Sequence, residues 1–417
     1  MAKLTVRGGK ELNGELYVQG AKNSVLPILA ATVLCDGVCE LHRCPKLSDV
    51  DNSLDILREL GCHCQMENDH ILVDASAISG SEICEQLMLG MRSSIVFLGA
   101  ILGRVGCAVI SSPGGCELGP RPIDLHLAAL REMGAEIVED HGFLHCSTPK
   151  GLHGCEIDLS FPSVGATENI LLAASLAKGK TVIHNAAREP EIVDLALFLN
   201  SMGGKVSGYG TGTVTVEGVR RLNGTSFHIM PDRIAAATYL CMTAATGGKI
   251  TLQGICSEHL TPVFTVLKQT GCSLQVGENK IILKAPEVLQ RVPTVRTMVY
   301  PGFPTDAGPM VIALLSKANG TSVFVENIFE NRYRYVDELN RLGTRIKVEG
   351  RVAVIDGVLH LSGANCSCTD LRGGAALLIG GLIAEGQTVI THTEHLMRGY
   401  EKLSENLTAL GAEIQYQ

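Results

Sequence analysis

The segment LRELG at residues 57–61 decides the fold, because it recurs five more times along the chain. The other copies read LREMG at 130–134, LNSMG at 199–203, LKQTG at 267–271, LNRLG at 339–343 and LTALG at 407–411. Their final glycines are evenly spaced, so the copies tile nearly the whole chain. A second glycine precedes each of them at a similar separation: Gly37, Gly106, Gly179, Gly248, Gly320 and Gly386. A period this regular indicates a fold built from six repeats.

The third copy shows which unit is repeated. Residues 166–177 are apolar on nearly every side, which predicts a helix that is buried all round and ends at Gly179. After it come a short β-branched strand, an amphipathic helix and an alternating hairpin, at 181–184, 191–202, and 205–207 with 213–217. The predicted unit is therefore helix, strand, helix, strand, strand.

The six apolar helices predict the packing of these units and an α/β fold class. They lie at 24–34, 94–102, 166–177, 234–245, 310–315 and 375–384. Many of their residues are Ala, Gly or Ser, which let helices approach closely. We expect the apolar helices inside and the sheets around them. A short-period solenoid is excluded, because its repeats have about 20–50 residues and these have about 70.

The two ends of the chain predict the domain boundaries. The sixth copy stops with one hairpin strand at 413–416, and the N-terminal segment contains an unassigned strand pair at 4–6 and 15–18. This pair can supply the missing pairing and join the termini in one domain. We therefore expect a first domain of residues 21–229 with copies 1–3, and a second of residues 1–20 plus 230–417 with copies 4–6.

Composition excludes several classes of protein. A net charge of −8 argues against a general nucleic-acid binder. No apolar run reaches the roughly 18 residues of a membrane span, and the N-terminus lacks an apolar signal core, so we expect a cytoplasmic protein with no membrane insertion. The 15 cysteines should be reduced and mostly buried. Their two C-x-C pairs lack a second pair at zinc-site spacing, so no metal site is predicted.

Cations at the starts of the apolar helices point to an anion site. Four of these helix starts contain a cation near Ser, Thr, Asp or Asn: Lys22, Arg92, Arg233 and Arg372. Helix N-termini carry unpaired N–H groups and the positive dipole end, which favour anions. Simple capping accounts for the neutral and acidic residues but not for the cations, which are unfavourable at that end. Both an anion site and simple capping stay open at this point.

Three other loci contain candidate reactive groups. Cys116 lies in a loop of three prolines and three glycines, five residues before Arg121, where exposure and a nearby cation favour the reactive thiolate form. An incidental surface thiol is the alternative. Asp306 ends YPGFPTD and is either a helix cap or a general base. Arg398 lies in the link between the strand and the second helix of copy 6, where copy 5 has Arg332. It is either a functional cation or a solvated residue at a helix start.

Nine segments give the chain a recognisable resemblance. They are GAKNSVLPI at 20–28, PGGCELGPRPIDLH at 113–126, SVGATEN at 163–169, REPEIVDL at 188–195, PDRI at 231–234, GFPTD at 302–306, FENRY at 329–333, TDLRG at 369–373 and RGYEKL at 398–403. In these segments, and from end to end, the chain resembles the enolpyruvyl transferase family. The Cys116 loop and the RPIDL segment at 121–125 resemble the corresponding segments in the branch of this family whose acceptor is UDP-N-acetylglucosamine.

The resemblance implies both a fold and a reaction. The fold is a pair of inside-out α/β barrels with three repeats each and the active site in the cleft between them. The reaction is enolpyruvyl transfer from phosphoenolpyruvate to the 3-hydroxyl of UDP-N-acetylglucosamine with release of phosphate, the first committed step of peptidoglycan synthesis. These two small molecules are the expected partners, and no metal or organic cofactor is needed.

Residue roles follow from the resemblance, motif by motif. It implies Cys116 as proton donor and covalent partner of phosphoenolpyruvate, Asp306 as base at the sugar hydroxyl, and Lys22 and Arg398 as further catalytic groups. The phosphoenolpyruvate site would comprise Lys22, Asn23, Arg92, Arg121, Arg372 and Arg398. The UDP-sugar site would comprise Arg92, Arg121, Pro122, Ile123, Asp124, Leu125, Ser163, Val164, Gly165, Asp306 and Ile328.

Two other functions are compatible with the same residues. One is 5-enolpyruvylshikimate-3-phosphate synthase, which shares the architecture and the donor. The other is a catalytically silent paralogue that binds UDP-sugar and regulates the pathway. Retention of Lys22, Cys116, Asp306 and Arg398 argues against the silent paralogue.

Overall fold

The computed structural model describes residues 3–111 and 123–416, so Cys116, Arg121 and Pro122 lie outside it. Its helices are α1 Lys22–Thr32, α2 Ser48–Glu59, α3 Glu85–Gly90, α4 Phe97–Arg104, α5 Asp124–Glu132, α6 Val164–Ser175, α7 Pro190–Ser201, α8 Arg233–Thr246, α9 Thr261–Gln269, α10 Gly308–Leu315, α11 Val336–Arg341, α12 Leu371–Ile383, α13 Glu394–Met397 and α14 Leu403–Ala409. Short 3₁₀ helices span Arg92–Val96, Ser257–Leu260 and Thr305–Ala307.

The described strands number 24. They are β1 Lys3–Arg7, β2 Asn13–Tyr17, β3 Val38–His42, β4 His63–Glu67, β5 His70–Asp74, β6 Glu82–Ile83, β7 Cys107–Ser111, β8 Glu136–Asp140, β9 Phe143–Ser147, β10 Glu156–Asp158, β11 Lys180–His184, β12 Val206–Ser207, β13 Thr213–Glu217, β14 Thr225–His228, β15 Lys249–Gln253, β16 Ser273–Val276, β17 Lys280–Lys284, β18 Thr294–Arg296, β19 Thr321–Val325, β20 Arg345–Glu349, β21 Val352–Asp356, β22 Asn365–Ser367, β23 Gln387–Thr391 and β24 Glu413–Tyr416.

The six predicted repeats are confirmed: the part of the chain that the structure describes forms six four-stranded sheets. In the third repeat the sheet order is β10-β11-β13-β12, with β10 parallel to β11 and the predicted hairpin antiparallel. Strand β10, which precedes the buried helix α6, was not predicted from the sequence. The true unit is therefore strand, helix, strand, helix, strand, strand. A strand this short does not show the alternation by which strands are recognised.

The repeated glycines close the second helix of each unit. All six that end the L-x-x-Φ-G segments have φ between +93° and +99°, the left-handed conformation that glycine adopts most readily. The second set of glycines follows the buried helices at a distance of several residues in most copies and does not end them directly. Helix α6 ends at Ser175, before Gly179 is reached, and Gly247 instead of Gly248 has the positive φ in the fourth copy.

The described chain forms two compact units. The first unit comprises residues 20–111 and 123–230, and the second comprises 3–19 and 231–416. Each has one hydrophobic core around three buried helices, α1, α4 and α6 in the first unit and α8, α10 and α12 in the second. A Cβ on Gly99 of α4 would lie 2.3 Å from the carbonyl oxygen of Asn169 on α6, so this close helix contact requires glycine. The predicted domains and the cleft between them stay a prediction.

The N-terminal strands β1 and β2 pair with strands of the second unit and not with each other. Strand β1 lies between β23 and β24, antiparallel to both. Strand β2 pairs in parallel with β15 of the fourth copy. In the first unit β14 closes the set, because it pairs in parallel with β3 of the first copy.

Two expectations from composition can be compared with the structure. Of the 14 described cysteines, all of which are free, ten are buried. No helix among residues 3–111 and 123–416 combines the length and the apolarity that crossing a membrane requires.

Candidate active site

Lys22 lies at the start of the buried helix α1, and its charge is balanced by an acid. Its ammonium Nζ is 2.8 Å from Oδ2 of Asp49, in the first turn of α2. The two side chains are only 10% and 4% exposed. The ion pair fixes the position of the ammonium group at a helix start that has no side-chain cap. Sequence reasoning missed Asp49, because nothing local marks it as the partner of a residue on another helix.

The next residues anchor this helix start to the third repeat. Asn23 is exposed, while the Ser24 hydroxyl donates to the Asp194 carboxylate of α7. The backbone N–H of Met230 donates to the same carboxylate at 3.2 Å. Burial raises the pKa of Asp194 to about 6. The carboxylate thus connects the start of α1 to the segment that follows β14.

Arg92 begins a 3₁₀ helix that leads into α4, and it lies close enough to His126 to affect that residue's charge. Burial, helped by the Arg92 cation, lowers the pKa of His126 from 6.5 to about 4. The His126 imidazole is therefore neutral near pH 7. Asn169 Nδ2 donates to His126 Nδ1 at 2.8 Å, which leaves the proton on Nε2.

His126 brings two predicted sugar-binding segments together. It belongs to α5, directly after Ile123, Asp124 and Leu125, and its ring faces the start of α6, where Ser163, Val164 and Gly165 lie. A Cβ on Gly165 would lie 3.0 Å from His126 Cε1 and 3.3 Å from Nε2. Asn169 also donates to the Ile95 carbonyl at 2.9 Å and accepts from the Gly99 N–H at 2.6 Å. This network fixes α5 and α6 relative to the 3₁₀ helix of Arg92.

In the second unit, Asp306 is held between two arginines. Its Oδ1 is 2.9 Å from Nη2 of Arg332, and its Oδ2 accepts from Nε and Nη2 of Arg372, both at 3.2 Å. The side chains of Arg332 and Arg372 are 2% and 4% exposed, whereas Asp306 is 28% exposed. Asp306 lies inside the 3₁₀ turn, and the cap positions belong to Pro304 and Ala307. The capping alternative therefore does not describe its position.

Glu326 supports the backbone around this carboxylate. It is fully buried and accepts from the hydroxyl groups of Thr297 and Thr305, both at 2.9 Å. Its Oε1 also accepts from the backbone N–H of Ile328 at 2.8 Å. One buried acid thus ties the residue before Asp306 to Ile328, a predicted sugar-binding residue. In the sequence it is only a charged residue after an apolar strand.

Arg372 contacts Tyr400, which lies two residues after Arg398. The Arg372 guanidinium lies 5.6 Å from the centre of the Tyr400 ring and donates to its hydroxyl at 3.2 Å. Burial alone would lower the pKa of Arg372, but Tyr400 and the acids Asp306 and Asp232 raise it overall, so the cation persists. Gln19 donates to the Gly399 carbonyl at 3.1 Å and accepts from the Glu401 N–H, which fixes the segment that begins at Arg398.

The structure therefore groups the predicted residues within each unit. Lys22 is placed by Asp49, and the segments at 123–125 and 163–165 meet at His126. Asp306, Arg372 and the segment of Arg398 form a second group, which also contains Arg332 and Glu326. Cys116, Arg121 and Pro122 lie outside the described residues. Asp49, His126, Arg332 and Glu326 received no role from the sequence, although His126 and Arg332 lie within or beside the motifs.

Comparison with known proteins identifies the family. The family model for EPSP synthase (3-phosphoshikimate 1-carboxyvinyltransferase) matches residues 6–407. UDP-N-acetylglucosamine 1-carboxyvinyltransferase 2 of Caldanaerobacter subterraneus subsp. tengcongensis is 51% identical over 414 residues, which cover 99% of each chain. UDP-N-acetylglucosamine 1-carboxyvinyltransferase 1 of Symbiobacterium thermophilum is 46% identical and aligns over 99% of this chain and 94% of its own.

Solved structures agree with the fold. The enolpyruvyl transferase NikO from Streptomyces tendae superposes with a TM-score of 0.90 at 25% identity, over 100% of this chain and 99% of its own. EPSP synthase from Acinetobacter baumannii gives a TM-score of 0.77 at 18% identity over 100% of both chains, a likeness of fold alone. The inside-out α/β architecture that the resemblance implied, and with which the six repeats agreed, is confirmed. The chain belongs to the enolpyruvyl transferase family, as the resemblance of its nine segments predicted.

Proposed function

We propose that this chain transfers the enolpyruvyl group of phosphoenolpyruvate to the 3-hydroxyl of UDP-N-acetylglucosamine and releases phosphate. One observation carries the proposal: relatives with 51% and 46% identity, aligned over nearly their whole length, are named for this carboxyvinyl transfer. The motif residues that the reaction needs, including Cys116 and Asp306, are present in the chain. The proposed role is the first committed step of peptidoglycan synthesis, in the cytoplasm.

The reaction proceeds by addition and then elimination. The Cys116 thiol gives a proton to C3 of phosphoenolpyruvate while the sugar oxygen bonds to C2, and Asp306 takes the hydroxyl proton. The intermediate then loses a proton from C3 and phosphate from C2, which restores the double bond and leaves an enolpyruvyl ether. No electrons are exchanged with a cofactor, and the activated enol is part of the substrate, so neither a redox group nor a metal is required.

The surroundings of Asp306 fit the role of a base. Its side chain is 28% exposed, so a substrate hydroxyl can reach the carboxylate although two buried guanidinium groups contact it. A carboxylate can accept about four hydrogen bonds, so contact with two arginines is compatible with a further bond from a sugar hydroxyl. Arg332 and Arg372 also hold the carboxylate at a fixed position, which lowers the cost of orienting it for the reaction.

The cations fit the binding of a highly charged donor. Lys22 is restrained by Asp49, and Arg372 by Asp306 and Tyr400. Fixed cations with little exposure stabilise a phosphate and a carboxylate more strongly than mobile surface cations do, because water screens them less. In this scheme Arg398 and Arg121 add further charge to the phosphoenolpyruvate site, and Asn23 contacts the reacting groups.

The first unit supplies the proposed UDP-sugar contacts. The starts of α5 and α6 present Ile123, Asp124 and Leu125 beside Ser163, Val164 and Gly165, with the neutral His126 imidazole between the two helices. The backbone N–H groups at the start of α6 suit a diphosphate oxygen. Arg92, Arg121, Pro122 and Ile328 complete the proposed set of sugar-nucleotide contacts.

A phosphate-release assay with two acceptors tests the proposal. The protein is incubated with phosphoenolpyruvate and either UDP-N-acetylglucosamine or shikimate 3-phosphate. Phosphate release that depends on UDP-N-acetylglucosamine supports the proposal. Release with shikimate 3-phosphate alone would establish the other branch of the family. Binding of UDP-N-acetylglucosamine with no phosphate release, in protein of native stability, would indicate the silent paralogue.

A further inference from the structure

We propose that the first sheet of the first unit carries a binding site for a divalent transition metal of the zinc type, formed by Glu40, His42 and His70. The ligand atoms of these three side chains all lie within 4.8 Å of one another. The proposal is independent of the enolpyruvyl transfer, because none of the three residues belongs to the proposed active site.

The strand register explains why these side chains meet. The sheet order is β14-β3-β5-β4, and His42 at the end of β3 is paired with His228 of β14. The antiparallel register of β3 and β5 pairs Leu41 with Ile71, which brings His42 opposite His70. Glu40 lies two residues before His42 and therefore on the same face. The neighbouring Leu41 is fully buried, so this face points away from the core.

The distances fit a tetrahedral ion after small side-chain rotations. His70 Nε2 is 2.8 Å from Glu40 Oε1, and His42 Nε2 is 3.9 Å from the same oxygen. Zinc binds nitrogen and carboxylate oxygen at about 2.0–2.2 Å, which separates two tetrahedral ligands by roughly 3.3–3.5 Å. The observed separations lie on either side of that value. Both histidines present Nε2, the atom that an ion between them would bind.

The surroundings support the site. The side chains of His42 and His70 are 29% and 30% exposed, so the cluster is accessible yet restrained. Ser226 Oγ lies 2.8 Å from His42 Nε2, and the His228 ring stacks on His42 with centroids 4.4 Å apart. The stacking holds the His42 ring in its place on the sheet, whereas an ion bound to Nε2 would replace the contact of that atom with Ser226. Glu67, opposite His70 in the register of β4 and β5, adds negative charge at the same level of the sheet.

The donor set identifies the class of ion. Two imidazoles and one carboxylate are a zinc-binding combination that leaves a fourth position for water. Imidazole favours zinc, copper and nickel over magnesium and calcium, which prefer oxygen ligands. We therefore expect Zn²⁺ to bind and Mg²⁺ to leave the cluster empty. Bound zinc would link β3 to β5 and stabilise the first unit against unfolding, because a ligand that binds the folded state shifts the equilibrium toward it.

Zinc binding by the full chain and its variants tests the site. Wild-type protein and His70→Gln protein are titrated with Zn²⁺ in competition with a fluorescent chelator. Zinc that binds to cysteine thiols is common to both proteins, so it drops out of the difference between them. We expect the wild type to bind one more zinc ion than His70→Gln, or to bind it at least about tenfold more tightly. Glu40→Gln should behave like His70→Gln. His360→Gln is the matched control, because His360 Nδ1 lies 2.7 Å from Glu385 Oε1 in an exposed pair for which the described residues offer no third ligand.

A second measurement locates the ion in unmodified protein. Histidines are modified with diethylpyrocarbonate with and without Zn²⁺, and the modified peptides are quantified by mass spectrometry. We expect zinc to protect His42 and His70 and to leave His141 and His360, whose side chains are 92% and 77% exposed, reactive. Equal zinc binding by wild type and His70→Gln, or protection that is the same at all four histidines, would overturn the proposal and leave the cluster as ordinary cross-strand packing.

Discussion

Replacing Asp306 with asparagine should remove activity and also weaken the second unit. The amide keeps one acceptor oxygen, but its NH₂ group turns a donor toward the guanidinium of either Arg332 or Arg372. Removing one member of a buried ion pair costs about 3–5 kcal/mol. Because Asp306 is 28% exposed and Arg332 also donates to the Thr305 carbonyl at 3.2 Å, we expect the smaller loss of about 1–3 kcal/mol. Loss of the base should lower turnover roughly 10²–10⁴-fold.

Three measurements on the same variant separate these effects. Phosphate release gives turnover, thermal unfolding gives stability, and calorimetric titration gives the affinity for UDP-N-acetylglucosamine. We expect Asp306→Asn to melt several degrees lower, to be nearly inactive, and to bind the sugar nucleotide when folded. The control is Asp356→Asn, which changes an exposed carboxylate of the same unit that accepts from Thr321. Near-normal turnover would refute the base, and an unchanged melting temperature would refute the stabilising ion pairs.

The remaining predictions concern the first unit and the Cys116 loop. Cys116→Ser should nearly abolish turnover while UDP-N-acetylglucosamine still binds, and an electrophilic epoxide that resembles phosphoenolpyruvate, such as fosfomycin, should label Cys116 selectively; labelling spread over several peptides would contradict this. Asp49→Asn should lower kcat/KM for phosphoenolpyruvate about tenfold or more by releasing Lys22, since hydrogen bonds to charged groups contribute about 1.5–3 kcal/mol; unchanged kinetics would count against the ion pair. The pKa of Asp194 is raised from 3.8 to about 6, so its contribution to the unfolding free energy should fall as pH rises from 4 to 6. The pKa of His126 is lowered from 6.5 to about 4, so its contribution to the unfolding free energy should fall as pH drops from 6.5 to 4. In denaturant unfolding, the stability of Asp194→Asn should therefore fall more steeply in acid than that of the wild type, and the stability of His126→Gln should fall less steeply. Equal pH profiles would contradict both pKa shifts.

The fold was predictable because it depends on a repeated local pattern. Each L-x-x-Φ-G segment encodes a helix end at which glycine adopts a positive φ, and each apolar run encodes a buried helix. The strands before these helices were missed, because Glu82–Ile83 and Glu156–Asp158 are too short for a periodic signal. Each pairs with a strand that follows only after the intervening helices, so no local signal marks the pairing.

The site was predictable only in part, because its charged groups are paired with residues that lie far away in the sequence. The sequence indicated Lys22 and Arg372, since cations at helix starts are unusual, and it indicated Asp306 as the acid that ends YPGFPTD. The partner Asp49 is an ordinary acid in a first helical turn by its sequence, and Glu326 follows a strand with no distinguishing pattern. Only the three-dimensional packing shows that Asp49 neutralises Lys22 and that Glu326 supports the turn of Asp306.

Analysis of the product formed in D₂O tests whether this chain transfers the enolpyruvyl group by addition and elimination. The protein is incubated with phosphoenolpyruvate and UDP-N-acetylglucosamine in D₂O, and both the sugar nucleotide and the phosphate are measured. We expect a UDP-sugar heavier by one enolpyruvyl group, one phosphate released per product, and deuterium in the new methylene group, because C3 gains and then loses a proton. A product without deuterium would contradict addition and elimination, and an unchanged UDP-N-acetylglucosamine in the presence of folded protein would contradict the proposed function itself.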